Sequence, residues 1–422
     1  MERRTGAPRV RGLHVSMLPD KGVQVQELEA ALRQRVAGEV RFDGGSRALY
    51  AADASSFREV PIGVVIPKTR ADVLETMALC RQYGAPLLAR GGGTSLAGQC
   101  CNFAVVLDFS KYLNRLLELD PVGRLARVEP GIILDSLRNA AEVHHLTFGP
   151  DPATHSRCTL GGMIGNNACG VHAQMAGKTS DNILALEVAT YDGARMTVRN
   201  HYDEAEVTAL IQQGGRQGEI FRRLLALRDR YAEPIRAEFP RIPRNISGYP
   251  LYYLLPEHGF NVAGSLVGTE STCVTILEAT TRLVDSPPVK SLVVMGFPDI
   301  YTGCDHLPDI LAFNPMALEG MDDSLIDYMV RKHLHTEHMD LLPEGKGWLM
   351  AQFGGDTREE AFRAAHELVD ALARLDHPPE VRLFDLAEKE AQLWEIRESA
   401  VGATAMVPGM ADTWPGWEDS AV

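Results

Sequence analysis

The segment Arg90-Gly91-Gly92-Gly93-Thr94-Ser95-Leu96-Ala97-Gly98 constrains the fold most, because three successive glycines directly follow a predicted strand at residues 86–89. Glycine adopts backbone conformations closed to other residues, and its missing side chain lets a ligand approach the main chain closely. Successive N–H groups can converge on an anion, and the hydroxyls of Thr94 and Ser95 add donors. The segment predicts a pyrophosphate site, with a flexible surface loop as the alternative that it leaves open.

Two common nucleotide-binding motifs are excluded by their spacing. The dinucleotide fingerprint G-x-G-x-x-G would need glycine at position 96, where Leu96 stands. The tetrapeptide Ala176-Gly177-Lys178-Thr179 resembles the end of a P-loop, but that motif needs glycine at position 172, which is His172. A Rossmann dinucleotide site and a nucleoside triphosphatase are therefore both rejected.

A second glycine-rich stretch follows Gly149-Pro150-Asp151-Pro152. It runs Thr159-Leu160-Gly161-Gly162-Met163-Ile164-Gly165-Asn166-Asn167-Ala168-Cys169-Gly170. Glycine and asparagine tolerate left-handed backbone, and asparagine both donates and accepts hydrogen bonds. Two segments built for close backbone approach predict one large ligand held from two sides, although a chance pairing of two loops stays possible on this pattern alone.

Apolar periodicity predicts a mixed α+β chain. Strands are predicted at residues 62–67 and 104–109 with a helix at 71–83 between them, and Asp192-Gly193 between two apolar runs predicts a β-hairpin. A long helix is predicted at 217–235, interrupted late by Pro234.

Pro287-Pro288 marks the predicted domain boundary. Beyond it, strands and helices alternate in a βαβ…βαβ order, which predicts a ferredoxin-like α+β domain with one sheet and helices on one face.

Charge and cysteine usage exclude several functions. The formal net charge of −14 argues against nucleic acid as a partner, because phosphate contacts need clustered Lys and Arg. No apolar run is long enough for a membrane helix, and no apolar segment of a secretory signal follows the basic residues 1–11, so a cytoplasmic location is expected. The seven cysteines form no CxxC pair, which predicts reduced thiols and no iron–sulfur cluster held by this chain alone.

These motifs give the chain a resemblance to a known family. The two glycine segments, Pro150-Asp151, the stretch from Asp181-Asn182-Ile183 to Asp192-Gly193, and Gly268-Thr269-Glu270 resemble, in order and spacing, the FAD-linked oxidases of the vanillyl-alcohol oxidase or p-cresol methylhydroxylase type. The resemblance is to the branch that contains the flavoprotein component of glycolate oxidase, D-lactate dehydrogenase and D-2-hydroxyglutarate dehydrogenase. Residues 241–249 and 415–419 look like those of large bacterial proteins that fuse such a domain to an iron–sulfur domain.

The resemblance implies a fold and a cofactor. We expect a disordered tail at residues 1–17, a two-subdomain FAD-binding domain of the p-cresol methylhydroxylase (PCMH) type at 18–287, and an incomplete ferredoxin-like cap at 288–422. FAD should be non-covalent, since the first loop lacks the histidine that attaches it in some members. Ser271 replaces the family's usual glycine, which should be tolerable if its φ is negative.

By resemblance, the cofactor residues fall into three groups. The pyrophosphate would lie on the first loop, the isoalloxazine and ribityl side on the second segment, and the adenine end against the backbone of Ile183. Glu270 belongs to the same predicted site. The predicted residues of the two segments are Arg90, Gly91, Gly92, Gly93, Thr94, Ser95 and Gly98, and then Pro150, Asp151, Thr159, Gly162, Asn166, Asn167 and Gly170.

The implied reaction is oxidation of a D-2-hydroxy acid such as 2-hydroxyglutarate, lactate or glycolate. Arg397 matches the family's substrate arginine, because a guanidinium binds a carboxylate through two hydrogen bonds. Its alternative is a surface arginine paired with an acidic neighbour. Arg244 and Tyr249, with Arg241, are further candidates for the substrate pocket, and a structural role is their alternative.

The remaining chemistry is expected outside this chain. In the resembling branch the catalytic base and the metal-binding histidines follow the cap, which places them beyond Val422 and predicts a truncated or split polypeptide. An iron–sulfur domain or subunit is the expected electron acceptor and would bring the chain to the membrane periphery. The alternatives are an FAD-binding subunit that is inactive without that partner, and a non-catalytic flavin-binding module. His333, His335 and His338 predict no metal site, because helical spacings of two and five point in different directions.

Overall fold

A computed structural model describes residues 23–411 of the 422-residue chain. The tail predicted at residues 1–17, the stretch at 415–419 and the predicted truncation after Val422 lie outside the described residues.

The first part of the chain forms a four-stranded sheet with the order β1-β2-β4-β3. Strands β2, β4 and β3 run parallel, and β1 is antiparallel to β2. Helix α3 begins with a capping box between Thr69 and Asp72, and it buries Val73 and Met77 against the sheet. The elements are α1 (Val25–Arg35), β1 (Glu39–Arg41), α2 (Gly44–Leu49), β2 (Gly63–Ile66), α3 (Arg70–Gln82), β3 (Leu87–Arg90) and β4 (Val105–Asp108).

A five-stranded antiparallel sheet follows, with the order β5-β6-β10-β8-β9, and a two-stranded ribbon of β7 and β11 accompanies it. The predicted hairpin joins β8 to β9, where Gly193 has φ +94°. The strands are β5 (Leu116–Asp120), β6 (Leu125–Val128), β7 (Leu146–Thr147), β8 (Ile183–Ala189), β9 (Arg195–Arg199), β10 (Thr275–Arg282) and β11 (Val284–Asp285).

The helices of this region include one that departs from the prediction. Helix α8 continues through Pro234 to Glu238, so the predicted interruption is wrong. Pro234 is exposed, so water can bond to the carbonyl that loses its helical partner. Among residues 23–411, no helix combines the length and the apolar character needed to cross a bilayer. The helices are α4 (Leu134–Glu142), α5 (Leu160–Asn166), α6 (Ala173–Ala176), α7 (Glu204–Gln213), α8 (Gly215–Glu238) and α9 (Val262–Leu266), with 3-10 turns at Thr179–Asn182, Leu251–Leu254 and Pro256–His258.

The last part forms a four-stranded antiparallel sheet with the order β13-β14-β12-β15. Within the described part of the chain, its strands pair only with one another. The elements are β12 (Val289–Phe297), α10 (Ile300–Asp305), α11 (Leu307–Leu311), β13 (Ala317–Asp322), α12 (Asp323–Arg331), β14 (Gly347–Gly355), α13 (Arg358–Leu372), β15 (Glu380–Phe384), α14 (Ala387–Glu398) and α15 (Ala400–Thr404), with a 3-10 helix at Thr336–Leu341.

Helices cover both faces of this last sheet, so the prediction of helices on one face is wrong. Leu292 and Val294 of β12 pack in one apolar cluster with residues of α12 and α14. The alternate residues Val293 and Met295 pack in another cluster with residues of α11 and α13. The signal was present in the sequence: β12 and β14 are apolar runs without alternation, as strands buried on both faces are.

Candidate functional site

The two glycine segments lie against each other, as predicted for a ligand held from two sides. A Cβ atom on Gly91 would overlap the hydroxyl of Thr159, and one on Gly92 would overlap the carbonyl oxygen of Arg157. A cavity opens between the segments and a third wall formed by residues 269–271. Six predicted residues line it: Arg90, Gly91, Thr159, Gly162, Asn166 and Glu270. We call it the flavin cavity below, after the cofactor predicted there.

Arg90 shapes the first loop through its guanidinium group. Its Nη1 donates to the carbonyl oxygen of Cys100 at 2.9 Å, and its Nη2 donates to that of Ala52 at 2.9 Å. The guanidinium also lies over the ring of Tyr50, with 5.4 Å to the ring centroid. Arg90 therefore holds the first loop in place through hydrogen bonds to two carbonyl groups, and its side chain also lines the cavity.

Two side chains of the second segment hold helix α5 in place. Thr159 is the N-cap of α5, and its hydroxyl accepts from the Gly162 N–H at 3.3 Å. Asn167 ends the helix with φ +52°, and its Oδ1 accepts from the Ser180 N–H at 3.0 Å. Both side chains are almost fully buried, so their structural contribution is to fix the backbone that faces the cavity.

The third wall contains a departure from expectation. Glu270 and Ser271 have φ values of +50° and +63°, so the condition under which Ser271 was expected to replace glycine without strain is not met. A non-glycine residue in the left-handed region costs about 1–2 kcal/mol. The Glu270 N–H donates to the Gly165 carbonyl at 3.0 Å, which joins this strained turn to helix α5.

Other predicted cofactor residues lie outside the lining of this cavity. Gly92, Gly93, Thr94, Ser95 and Gly98 continue the first loop, and the Ser95 hydroxyl bonds to Gln99. Gly170 packs against Asp151, because a Cβ on Gly170 would overlap the Asp151 backbone, while Pro150 precedes Asp151 in the chain and Asn167 ends α5. Ile183 is buried at the start of β8, opposite Thr281.

A second cavity, of about 500 Å³, is lined by two of the three candidate arginines, Arg397 and Arg244, while Arg241 lines a different cavity with Arg236 and Tyr252. Arg397 lies on α14, and Arg244 lies in the loop between α8 and the 3-10 turn at Leu251–Leu254. The Arg397 Nε donates to Glu319 Oε2 at 2.8 Å, and the two side chains are 30% and 11% exposed. We call this the arginine cavity. Tyr249 does not line this cavity. Its hydroxyl hydrogen-bonds to Thr272 Oγ1 at 2.7 Å, and Thr272 directly follows the third wall of the flavin cavity.

Cys169 lies near the end of the second glycine segment and is partly buried. Burial raises the pKa of its thiol, and the charges of Arg244 and Glu319 act on that pKa in opposite directions. Cys169 is not among the lining residues of either cavity. Helix α6, which follows this segment, contacts β13, the strand that carries Glu319.

A buried hydrogen-bonded chain links the first two-thirds of the protein to the last sheet. His172 Nδ1 lies 2.5 Å from Asp151 Oδ2, and its Nε2 lies 3.0 Å from Oε1 of Gln352 on β14. The Nε2 of Gln352 in turn donates to Glu390 Oε2 at 3.0 Å. All four residues are less than a tenth exposed, and burial raises the pKa of Glu390. In this arrangement each ring nitrogen of His172 has a hydrogen-bonding partner, one on each side of the ring.

The sequence interpretation missed three of these four residues. His172 entered it only as the residue that breaks a P-loop pattern. A signal did exist for Gln352, which is a polar side chain in an otherwise apolar run and so needed a buried partner.

His155 makes a second connection to α14. Its Nδ1 lies 2.8 Å from Asp135 Oδ1, and its Nε2 lies 3.4 Å from Oε1 of Glu398, the neighbour of Arg397. Hydrogen bonds to Glu398 and Asp135 raise the pKa of His155 to about 9, against burial, which lowers it. A protonated His155 between two carboxylates therefore fixes the end of α14 that carries Arg397.

The flavin cavity, of about 80 Å³, combines main-chain and apolar surfaces that suit part of an anionic, largely planar ligand. Its walls come from three chain segments, two of which approach closely because Gly91 and Gly92 have no side chain. Main-chain N–H groups and the amide of Asn166 provide donors, while Leu88, Leu266 and Ile276 provide apolar surface. FAD has both a pyrophosphate and an aromatic ring system, which this combination of surfaces suits.

Comparison with known proteins agrees with this interpretation. The family described as "FAD binding domain" matches residues 61–199, and "FAD linked oxidases, C-terminal domain" matches residues 286–422. The D-2-hydroxyglutarate dehydrogenase of Pseudomonas putida is 28% identical over 410 residues, which cover 94% of this chain and 40% of that protein. Glycolate oxidase subunit GlcD of Escherichia coli is 26% identical over 399 residues, 92% of this chain and 67% of that protein.

Solved structures share the fold at lower sequence identity. An alkyldihydroxyacetonephosphate synthase has a TM-score of 0.60 and 17% identity, with 93% of this chain and 66% of the other covered. A p-cresol methylhydroxylase with substrate bound has a TM-score of 0.61 and 14% identity, with 89% and 71% covered.

Proposed function

Because this chain belongs to the FAD-linked oxidases, we propose that it forms the flavin-binding part of an enzyme that oxidises a D-2-hydroxy acid to the 2-oxo acid. The predicted family, fold class and cofactor are confirmed. The chain spans 40% of the length of the D-2-hydroxyglutarate dehydrogenase that it resembles, so the activity, the substrate and the partners are proposals.

FAD would supply a hydride acceptor at its N5 atom. The protein's contribution is to hold the cofactor and to orient the acid. We assign the pyrophosphate to the Gly91–Gly93 backbone and the ring system to the side of Thr159, Gly162 and Asn166. The same non-covalent site includes Glu270, and the adenine contact at Ile183 stays a prediction.

The observation that carries the proposal is the presence of Arg244 and Arg397 in one cavity. These arginines come from distant parts of the chain, and guanidinium groups bind carboxylates in a defined orientation. With both in place, the α-carboxylate of a hydroxy acid would be fixed while its C–H bond faces the flavin cavity. Tyr249, next to that cavity, would contact the flavin side of the site rather than the carboxylate.

Glu319 decides how the arginine cavity accepts an anion. It neutralises Arg397 in the described structure, and a substrate carboxylate would take its place on the guanidinium. Arg244 would then provide a second positive charge in the cavity, which would bind a second carboxylate of the substrate. This arrangement favours a dicarboxylic acid such as 2-hydroxyglutarate over lactate or glycolate.

Anaerobic reduction of the bound flavin tests the proposal. The purified 422-residue chain should release FAD on acid precipitation, and D-2-hydroxyglutarate should bleach its flavin absorbance faster than D-lactate or glycolate. The L enantiomer is the control, and dithionite establishes that the flavin is reducible. If dithionite bleaches the flavin but no hydroxy acid does, the proposal that this chain is active by itself is contradicted. A protein that takes up no FAD would contradict the site itself.

The second candidate is an FAD-binding subunit or fragment that needs a separate polypeptide. It rests on the resemblance, which places the base and the iron–sulfur acceptor in another segment, and this chain spans 40% of the D-2-hydroxyglutarate dehydrogenase that it resembles. It predicts flavin reduction only when the remaining segment is supplied in trans. The iron–sulfur partner and the cytoplasmic location stay predictions.

We also propose the domain boundary at Pro287, as the sequence suggested. Strand β11 ends at Asp285 and pairs with β7, while β12 begins at Val289 and pairs with β14 and β15. The match to the C-terminal oxidase domain begins at residue 286, which supports the same position.

A further inference from the structure

We propose that His335, His338 and Glu395 form a binding site for a divalent transition metal ion such as Zn²⁺. One ligand atom from each of the three residues lies within 4.8 Å of the others. His335 Nδ1 and His338 Nε2 each lie 3.8 Å from the same carboxylate oxygen, Glu395 Oε2. The site is separate from the flavin and arginine cavities and from the histidines expected in another segment.

The backbone explains why two of the three histidines converge. His335 is the N-cap of the 3-10 helix at Thr336–Leu341, with φ +48°, and its carbonyl oxygen accepts from the His338 N–H at 3.1 Å. This tight turn brings the two rings together, and they stack with centroids 6.2 Å apart. The prediction of no metal site rested on α-helical spacing, and His333 is the residue left out of the group.

The donor set has the chemistry of a zinc site. Two neutral imidazoles and one carboxylate are a common set of three protein ligands, with about 2.0–2.2 Å from each ligand atom to the ion. Late first-row ions share this preference for imidazole nitrogen. Ligand atoms 3.8 Å apart need only small movements to reach one ion, and Glu395 is half-exposed and can make them. The Glu337 carboxylate, 3.8 Å from His338 Nε2, adds negative charge beside the site.

The position of Glu395 indicates what a bound ion would do. Glu395 lies two residues before Arg397 on α14, and helical residues at that spacing point to different sides. The ion would therefore not touch a substrate in the arginine cavity. It would instead fasten α14 to the 3-10 helix, whose Met339 and Leu341 pack in the same apolar cluster as Leu393 and Trp394.

Zinc titration of the full chain tests the site. Calorimetry should give one equivalent of bound Zn²⁺, and the melting temperature should rise by several degrees with Zn²⁺ but not with Mg²⁺. His338→Ala and Glu395→Gln should weaken binding at least tenfold, while the matched control His333→Ala should bind as the wild type does. His335→Asn tests the third ligand, because asparagine tolerates the left-handed backbone.

Two readouts keep the result interpretable. FAD content shows whether each variant is folded, independently of metal binding and of hydroxy-acid oxidation. Co²⁺ should give visible bands without the intense thiolate-to-metal absorption that cysteine ligation produces. No Zn²⁺ bound by the wild type, unchanged binding by His338→Ala, or thiolate bands with Co²⁺ would each overturn the proposal.

Discussion

Arg397 donates to Glu319 at 2.8 Å inside the same cavity that Arg244 lines. The sequence left two roles open for Arg397, a substrate anchor or an arginine paired with an acidic neighbour. The structure shows Arg397 paired with an acidic residue, Glu319, and this pair lies in a cavity that suits a substrate anchor. Since Glu319 comes from β13 and not from α14, the pair spans two elements and holds the guanidinium within the cavity.

Arg397→Ala should lower kcat/KM for D-2-hydroxyglutarate about 10- to 100-fold, because a hydrogen bond between charged partners is worth about 1.5–3 kcal/mol. Glu319→Gln should lower KM, since the competing carboxylate is removed. Steady-state kinetics of the reconstituted enzyme measure both. Arg363→Ala, an exposed position on α13, is the control for the loss of a positive charge.

The double variant Arg397→Ala/Glu319→Gln separates binding from folding. Arg397→Ala alone leaves a largely buried carboxylate without its partner, which by itself destabilises a protein. If activity returns in the double variant, Arg397 only neutralises Glu319. If it stays low while the free energy of unfolding recovers, Arg397 binds substrate.

Gly165→Ala should weaken FAD binding about tenfold or more without destabilising the protein. Gly165 lines the flavin cavity within α5, and a Cβ there meets no protein atom, so the added methyl group would compete only with a ligand. Alanine is also favoured over glycine in a helix by about 1 kcal/mol. Flavin fluorescence titration of the apoprotein measures the affinity, and Gly44→Ala, in open space on α2, should change it little. Unaltered FAD affinity in Gly165→Ala would place the cofactor elsewhere.

The sequence predicted that the two glycine segments come together, because the features that indicate it are local; their role in binding FAD stays a prediction. Glycine clusters and asparagines report backbone freedom at their own positions, and Gly91 and Thr159 do meet in the structure. The predicted helices and strands of the parallel sheet also follow local periodicity.

Contacts between distant parts of the chain could not be predicted in this way. His172 and Gln352 are 180 residues apart, and their bond depends on how the last sheet packs against the second glycine segment. The left-handed Ser271 and the 3-10 backbone after His335 were missed for a related reason. In both cases the residue type favours another conformation, and tertiary packing prevails over that preference.

Ser271→Gly should stabilise the protein by about 1 kcal/mol. Glycine has no steric penalty at φ +63°. We expect this gain to exceed the larger loss of backbone entropy that glycine undergoes on folding. Urea unfolding of the FAD-free protein measures the change. Ser136→Gly in α4 should act in the opposite direction, because glycine lowers helix propensity. A destabilised Ser271→Gly variant would mean that the serine side chain makes a contact worth more than the strain.

His155→Gln should destabilise the protein at about pH 6 and have little effect at about pH 10. Because the pKa of His155 is raised to about 9 in the folded state, its stabilising contribution is full below the unfolded value of about 6.5. The contribution is lost as pH rises through the folded value. We expect a difference on the order of 1–3 kcal/mol at the lower pH, since the site is partly exposed. Equal losses at the two pH values would show that hydrogen bonding, and not charge, accounts for the contact.

Glu390→Gln should stabilise the protein at neutral pH. Burial raises the pKa of Glu390, so the folded state favours the protonated form, and ionisation costs stability as pH rises above the unfolded value of about 4.3. Glutamine removes that cost and still accepts from Gln352 Nε2. Urea unfolding at about pH 7 and at about pH 4 should show the gain only at the higher pH. Glu388→Gln, exposed on the same helix, is the control. If Glu390→Gln instead destabilises at neutral pH, the hydrogen-bonded chain from Asp151 through His172 and Gln352 depends on an ionised Glu390.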